Sequence, residues 1–380
     1  MRIGIMLRAF DEKGGISVYA SNIVTELLRL GGHHHFVLYY RNQAHLGRFA
    51  GCAGVTERVI RGRNKAVWDQ IAIPLACRRD RVDVLFHPKF TAPLLAPCPV
   101  VMTVHGADWF IPEQAGYYSR LDVQYIRAVM PLYFKKCAAV ISVSQLTTDN
   151  FNRALRLPPD KIKTIYFAPA RHFRRITDRA RLQAVKAKYQ LPDRFTLTLT
   201  KRLGDGRKNL QQIFKAYAHY HQQTADPRQL VVGGKDCYLF KAEYGIPDDG
   251  YGADILFPNW IDQQDLPAVY SLADLFLYPS NLEAFPIPLT EAMACGTPIV
   301  TSNVNGLEEI AGDAAVLVDP GDFVAIANAL CHVLSESELQ ARLSKKGLAR
   351  AAQFTWDKCA QDTMTLLENL VASRGRRYVG

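Results

Sequence analysis

Two carboxylates, Glu283 and Glu291, stand with seven residues between them in the stretch 279–300. The residues that follow the first, Ala284-Phe285-Pro286-Ile287-Pro288, are expected to be loop. Each proline removes a backbone donor and pushes the residue before it toward extended geometry. After Pro288, the residues Leu289, Ala292 and Met293 fall at helical spacing, and Gly296-Thr297-Pro298 stops the helix. This reading puts Glu283 on a loop leaving a strand at 274–278. It puts Glu291 in the first turns of a helix, beside N–H groups with partial positive charge. Bare amides flanked by two fixed acceptors suit a phosphorylated polyhydroxyl ligand. The plain alternative is an αβ connection with two solvated glutamates.

Cations recur in a similar setting. A strand expected at 195–200 runs into a polar loop containing Arg202 and Lys208, then into a helix. Arginine can fork two N–H bonds to one phosphate, and lysine supplies a compact charge. Neighbouring cations repel one another unless an anion lies between them. A basic surface turn is the alternative. Near the start, Gly14-Gly15 separates a strand expected at 2–10 from a helix whose face is marked by Tyr19, Ile23, Leu27 and Leu30. Strand, glycine pair and helix make an amide cradle for an anion. No G-x-G-x-x-G follows, which argues against a dinucleotide-dependent oxidoreductase. A further strand, 99–105, ends at His105. Ligands of open α/β sheets gather at such carboxyl ends, though a core histidine bonded to a backbone carbonyl would sit there equally well.

These residues need a framework of alternating strands and helices. Strands are expected at 36–40, 82–86, 138–143, 229–234, 255–257, 299–300 and 315–318 as well. Helices are expected around 65–78, from a Ser144 cap, over 179–189 and over 323–334. The class is α/β, and the length allows two domains, each with its own core. The pattern breaks at Phe167-Ala168-Pro169-Ala170. The division expected is 1–172 and 173–358, with a closing helix over 359–380.

Composition narrows the partners. No apolar run approaches ~18–20 residues, so no membrane-spanning helix is expected, and MRIGIML reads as a buried strand rather than a signal peptide. The eight cysteines are scattered without C-x-x-C, as in a reduced, cytoplasmic protein. His33-His34-His35 follows Gly31-Gly32 and is read as a helix-to-strand turn, so no metal site is expected. Up to Arg181 the chain has 27 Lys and Arg against 13 Asp and Glu, a net of +14, while the whole chain carries +10. Such a basic half is either a solvated face or one attracted to an anionic membrane or lipid-linked acceptor. No nucleic-acid motif accompanies the charge.

The stretch 279–300 resembles the signature of the retaining family 4 glycosyltransferases, which have the GT-B fold. Pro279-Ser280, Glu283, Phe285, Pro288, Glu291-Ala292-Met293-Ala294 and Gly296-Thr297-Pro298 carry the match. Ala284 and Pro286 replace two of the family's glycines. Arg202-Leu203 and Lys208-Asn209 match a second family pattern, with Lys201 in place of its glycine.

The resemblance implies two Rossmann-like domains facing across a cleft, with the last helix returning to the first domain. It implies transfer of a mannose- or glucose-type hexose from a GDP or UDP sugar to an acceptor hydroxyl, with retention, in polysaccharide or glycolipid synthesis. Arg202 and Lys208 would meet the diphosphate, helped by Gly14 and Gly15. Glu291 would accept from ribose, and Glu283 and His105 would meet the donor sugar. Phe285, Pro286 and Ile287 would line the donor site, and Trp260 would lie near the base or in the core. The partners are a nucleotide sugar and a sugar or lipid-linked acceptor. The nucleotide sugar is a substrate; no cofactor is implied, and the absence of D-x-D suits a metal-free reaction. A GT-B epimerase and a catalytically impaired nucleotide-sugar-binding protein are the alternatives.

Overall fold

The computed structural model describes residues 1–12, 14–200 and 206–376. The chain forms two compact units, 1–167 with 355–380, and 168–354. The first contains seven parallel strands: β1 (Arg2–Met6), β2 (His35–Tyr40), β3 (Val55–Val59), β4 (Val84–His87), β5 (Val100–Val104), β6 (Ala139–Ser142) and β7 (Ile162–Thr164), in the order β3-β2-β1-β4-β5-β6-β7. The second contains six: β8 (Phe195–Leu199), β9 (Gln229–Gly233), β10 (Ile255–Leu256), β11 (Leu275–Tyr278), β12 (Ile299–Ser302) and β13 (Val316–Val318), in the order β10-β9-β8-β11-β12-β13. Central strands such as β5 and β11 are buried at every residue. That explains their unbroken apolar runs, since helices cover both faces of a parallel sheet. Each unit is therefore Rossmann-like and α/β.

Several elements depart from the sequence reading. The first strand ends at Met6, and a 3₁₀ turn spans Arg8–Asp11. Leu7 gives a last N–H to the Tyr39 carbonyl (2.9 Å), after which Phe10 turns back to the Leu7 carbonyl (3.1 Å). Strands β3 and β7 were not expected: β7 has three residues and closes one edge of its sheet. The helix after Glu283 begins at Ile287, two residues earlier than its apolar spacing suggests. Proline is tolerated in a first turn, where its missing N–H has no intrahelical acceptor. The 65–79 helical run opens into a π turn over Trp68–Ala72. Pro74 lies just beyond and offers no N–H to the carbonyl four residues back.

The chain leaves the first unit after Phe167, five residues before the expected boundary. Phe167 packs on Tyr19 and Trp356, with ring centroids 5.2 and 5.6 Å apart. Phe173 instead packs on Tyr270 in the second unit, at 6.2 Å. The closing helix is Trp356–Arg376. It buries Trp356, Cys359, Ala360 and Leu367 in the first unit, and Asp357 pairs with Arg29 of the helix Gly15–Leu30.

Candidate active site

In the second sheet the strand order reverses direction between β8 and β11, which pair in parallel through Leu275–Thr196 and Phe276–Leu197. The loops leaving two such strands diverge to opposite faces and open a crevice at their carboxyl ends. Lys208 stands on the loop after β8 and Glu283 on the loop after β11. The structure brings them into contact. The Lys208 ammonium donates to the Glu283 carboxylate and to the Tyr278 hydroxyl. Tyr278 itself donates to Glu283 Oε1 (2.8 Å), and the ammonium lies 4.8 Å from the centre of the Tyr278 ring. Burial pulls the lysine pKa down, but Glu283 and Tyr278 outweigh it and hold the amine above its ordinary range. The expected repulsion among loop cations is relieved, at Lys208, by a glutamate of the neighbouring loop.

A scaffold of hydrogen bonds to backbone carbonyls fixes both loops. Asn209 takes a left-handed backbone (φ 59°), and its amide donates to the carbonyls of Pro279 (2.9 Å) and Pro320 (2.7 Å). Asn281 binds back to the carbonyls of Arg207 (2.8 Å) and Gly206 (3.0 Å). Thr301 and Ser302 donate to the carbonyls of Tyr278 (2.8 Å) and Ser280 (2.7 Å). Gly306 gives its N–H to the Glu283 carbonyl (2.9 Å), and a Cβ there would stand 2.5 Å from the Ala284 carbonyl oxygen. Only glycine admits that approach. Tyr278, Asn209, Asn281 and Gly306 were missed as site residues. Asn209 alone carried a sequence signal, as part of the matched Lys208-Asn209 pair.

Glu291 lies deeper than expected. It is 7 % exposed on the helix Ile287–Cys295, and burial raises its pKa to about 8, against a hydrogen bond from Tyr270 (3.2 Å) that favours the carboxylate. Burial therefore favours the protonated form of this carboxyl. The N–H groups of Leu289 and Thr290 turn back to the Pro286 carbonyl (3.1 and 3.2 Å). Since Pro288 has no N–H, Ile287 offers the outward amide of this turn. Pro286 is the residue before the helix. Phe285 is buried edge-on against Phe354, with centroids 5.9 Å apart. Trp260 is 53 % exposed, which discards its core reading. Its loop is set by Asn259 (φ 63°), which accepts from the N–H groups of Gly234 (3.0 Å) and Asp236 (2.8 Å). Arg202 lies outside the described residues.

In the first unit the order reverses between β1 and β4. Gly14, with φ 106° and ψ −161°, precedes the helix Gly15–Leu30, whose opening amides face out from the carboxyl edge of β1. His105, just beyond β5, shares that edge. Its Nε2–H donates to the Pro88 carbonyl (3.1 Å), and its ring meets Tyr19 edge-on at 4.9 Å. Burial lowers its pKa to about 4, so it is neutral at physiological pH. The carbonyl-bonded histidine is what the structure shows, at the carboxyl end of β5. Lys89 and Glu12 act on it electrostatically, and they belong to a group of polar residues of this unit that sequence reasoning missed. Arg8 forks onto Asp69 (3.1 and 3.0 Å), Thr91 donates to Asp69 (3.0 Å), and Lys89 pairs with Glu12.

Two family profiles span most of the chain: Glycosyltransferase Family 4 over residues 13–167, and Glycosyl transferases group 1 over residues 183–350. The chain is 29% identical over 293 residues to the O-antigen chain mannosyltransferase B of Escherichia coli, covering 75% of this chain and 74% of that protein. Its fold is similar to that of a sucrose-phosphate synthase from Thermosynechococcus elongatus, with TM-score 0.75, 20% identity, and coverage of 98% and 99% of the two chains. It is also similar to Anabaena Alr3699/HepE, solved with UDP and glucose, with TM-score 0.75, 19% identity and coverage of 97% and 100%.

Proposed function

We propose, for a chain that belongs to the family 4 glycosyltransferases of GT-B fold, transfer of a mannose- or glucose-type hexose from a GDP or UDP sugar to an acceptor hydroxyl, with retention and without a metal. The observation that carries this reading is the Lys208 ammonium held at the carboxyl edge of the second sheet by Glu283. A departing diphosphate gathers negative charge as the glycosidic bond breaks. A cation already fixed at that edge lowers the barrier without reorganising solvent. The donor diphosphate takes Lys208 from Glu283, and the freed carboxylate accepts from a hydroxyl of the donor sugar. Both charges then keep a partner in either state, which limits the cost of desolvating them.

The remaining roles rest on the family resemblance. Arg202 supplies a second cation, and the Gly14-Gly15 amides offer further donors. Neutral His105 exchanges hydrogen bonds with the sugar. Glu291 accepts from ribose, and exposed Trp260 offers a face to the base. The leaving phosphate takes the acceptor proton, so no protein base is assigned.

The mannosyltransferase relative supports a role in polysaccharide or glycolipid synthesis, and the basic first half of the chain is the ground for proposing that it acts at the cytoplasmic face of an anionic membrane. Among the described residues no helix is long and apolar enough to cross a bilayer. The helix Arg120–Lys136, however, exposes Leu121, Tyr125 and Leu132 along one stripe, beside Arg120, Arg127 and Lys135. Shallow apolar insertion with basic flanks is how a peripheral protein meets such a surface.

The test is a panel of UDP, GDP and ADP sugars, first by thermal shift and then by transfer to an alkyl mannoside in the presence of EDTA. One donor class should stabilise the protein and support metal-free transfer. Transfer abolished by EDTA and restored by Mg²⁺ or Mn²⁺ would contradict the metal-free step. Stabilisation by none of the panel would contradict the donor site.

A further inference from the structure

The helix Gly15–Leu30 ends in a tight turn: Gly31 gives its N–H to the Leu27 carbonyl (2.8 Å), and His34 to the Gly31 carbonyl (2.8 Å). β2 then begins at His35, beside Arg2 of β1. The turn therefore lies at the amino ends of the parallel strands, opposite the edge that holds Gly14 and His105. The closing helix passes close over it. A Cβ on Gly31 would stand 2.8 Å from the Met364 methyl carbon. One turn beyond Met364 on the same helix face is Glu368. Its Oε1 lies 2.8 Å from His34 Nε2 and 3.5 Å from His33 Nε2, and the two imidazole rings are 3.8 Å apart. Three donor atoms, from segments 334 positions apart in the His34–Glu368 pair, lie within 4.8 Å of one another.

We propose that His33, His34 and Glu368 form a binding site for a borderline divalent transition-metal ion of the Zn²⁺ class. Two imidazole nitrogens and one carboxylate oxygen are donors that such ions favour over Ca²⁺ or Mg²⁺. Tetrahedral ligation at ~2.0–2.1 Å sets ligand atoms about 3.3 Å apart. Two of the separations, 2.8 and 3.5 Å, already bracket that value. His34, with its side chain 8 % exposed, is held in place, while His33, at 69 %, is free to swing inward and leaves room for water on the ion. The ion would clamp the closing helix to the turn it covers, beside the Arg29–Asp357 pair one end of the same seam already makes. It is remote from the carboxyl edge and takes no part in transfer. In the sequence the histidine tract is a tempting metal tract set aside in favour of a helix-to-strand turn; its third ligand, supplied by the far end of the chain, is not visible there.

The test uses full-length protein stripped with chelator and desalted. Zn²⁺ is titrated by calorimetry, and melting is followed with and without Zn²⁺ for the wild type, Glu368→Gln and His33→Ala. Each variant is compared with its own metal-free state, so a general loss of stability does not imitate loss of the site. One equivalent should bind the wild type. Zn²⁺ at ~100 times its dissociation constant should raise the melting temperature by several degrees, and both variants should lose that rise. Absence of stoichiometric binding in the wild type overturns the proposal. So does a rise that persists in Glu368→Gln, which would place the ion on other groups such as exposed Cys52. Melting is read without donor or acceptor, so the result stands apart from the transfer reading.

Discussion

Lys208 and Glu283, 75 positions apart, form one ion pair against the ring and hydroxyl of Tyr278. The pair joins two loops that leave neighbouring parallel strands. It occupies the cation that the proposed mechanism requires at the diphosphate. The proposed mechanism requires the donor to exchange with Glu283 for Lys208, and mutating either partner tests that exchange.

Lys208→Ala should lower turnover by roughly 10²–10³, the scale of losing one preorganised contact to transition-state charge. Arg202→Ala should do the same. Steady-state kinetics on folded variants checks this. Near-normal turnover in Lys208→Ala would remove the lysine from the chemistry.

Glu283→Gln should bind free nucleoside diphosphate as well as wild type or a few-fold tighter, because it no longer competes for Lys208. Its transfer rate should fall about 10- to 100-fold, the worth of a hydrogen bond to a charged group. Glu291→Gln should instead weaken nucleotide binding and mainly raise KM, since a ribose contact is common to ground and transition states. Calorimetry with the free diphosphate separates the two. Weaker binding in Glu283→Gln with unchanged binding in Glu291→Gln would reverse the assignments.

Glu291 should also leave a mark on stability. Its pKa is about 8 in the fold against an ordinary 4.5. Between those values the native state holds a proton that the unfolded chain has lost. Stability should therefore fall as pH rises across that window, by about 1.4 kcal/mol per unit, and level off above it. Glu291→Gln removes the dependence while keeping an acceptor for Tyr270. Melting curves of the two proteins should converge near pH 4.5, with the variant the more stable at pH 8–9. A difference that does not grow with pH would contradict the buried acid.

The strand–loop–helix alternation was legible because parallel strands, buried on both faces, read as apolar runs bounded by turn residues. The strands Val100–Val104 and Leu275–Tyr278 stood out for that reason. Strands β3 and β7 were not legible: Val55–Val59 is only half-buried, and Ile162–Thr164 is too short to show a period. Glu283 and Lys208 were each visible as chemistry. Their pairing was not, because it depends on β8 and β11 lying side by side, a topological fact with no local trace. The burial of Glu291 and the exposure of Trp260 are likewise set by packing. A helix start at Ile287 was hidden by Pro288, which reads as a breaker unless it falls in the first turn.

The basic first domain should bind anionic vesicles reversibly at low salt and lose them as salt rises. Co-sedimentation checks the preference, and Leu121→Asp with Leu132→Asp should weaken it by replacing exposed apolar side chains with repelled charges. Equal binding to neutral and anionic vesicles, or no effect of the double substitution, would reject contact through the helix Arg120–Lys136.

The most direct measurement is the anomeric configuration of the product. The stabilising nucleotide sugar, whose anomeric carbon is α-linked to the diphosphate, is incubated with protein and alkyl mannoside in EDTA. The new linkage is then read from the one-bond carbon–proton coupling at its anomeric centre. A Lys208-stabilised leaving diphosphate that deprotonates the acceptor on its own face predicts an α-linkage. A β-linked product would require attack from the opposite face and a protein base, and would contradict the account.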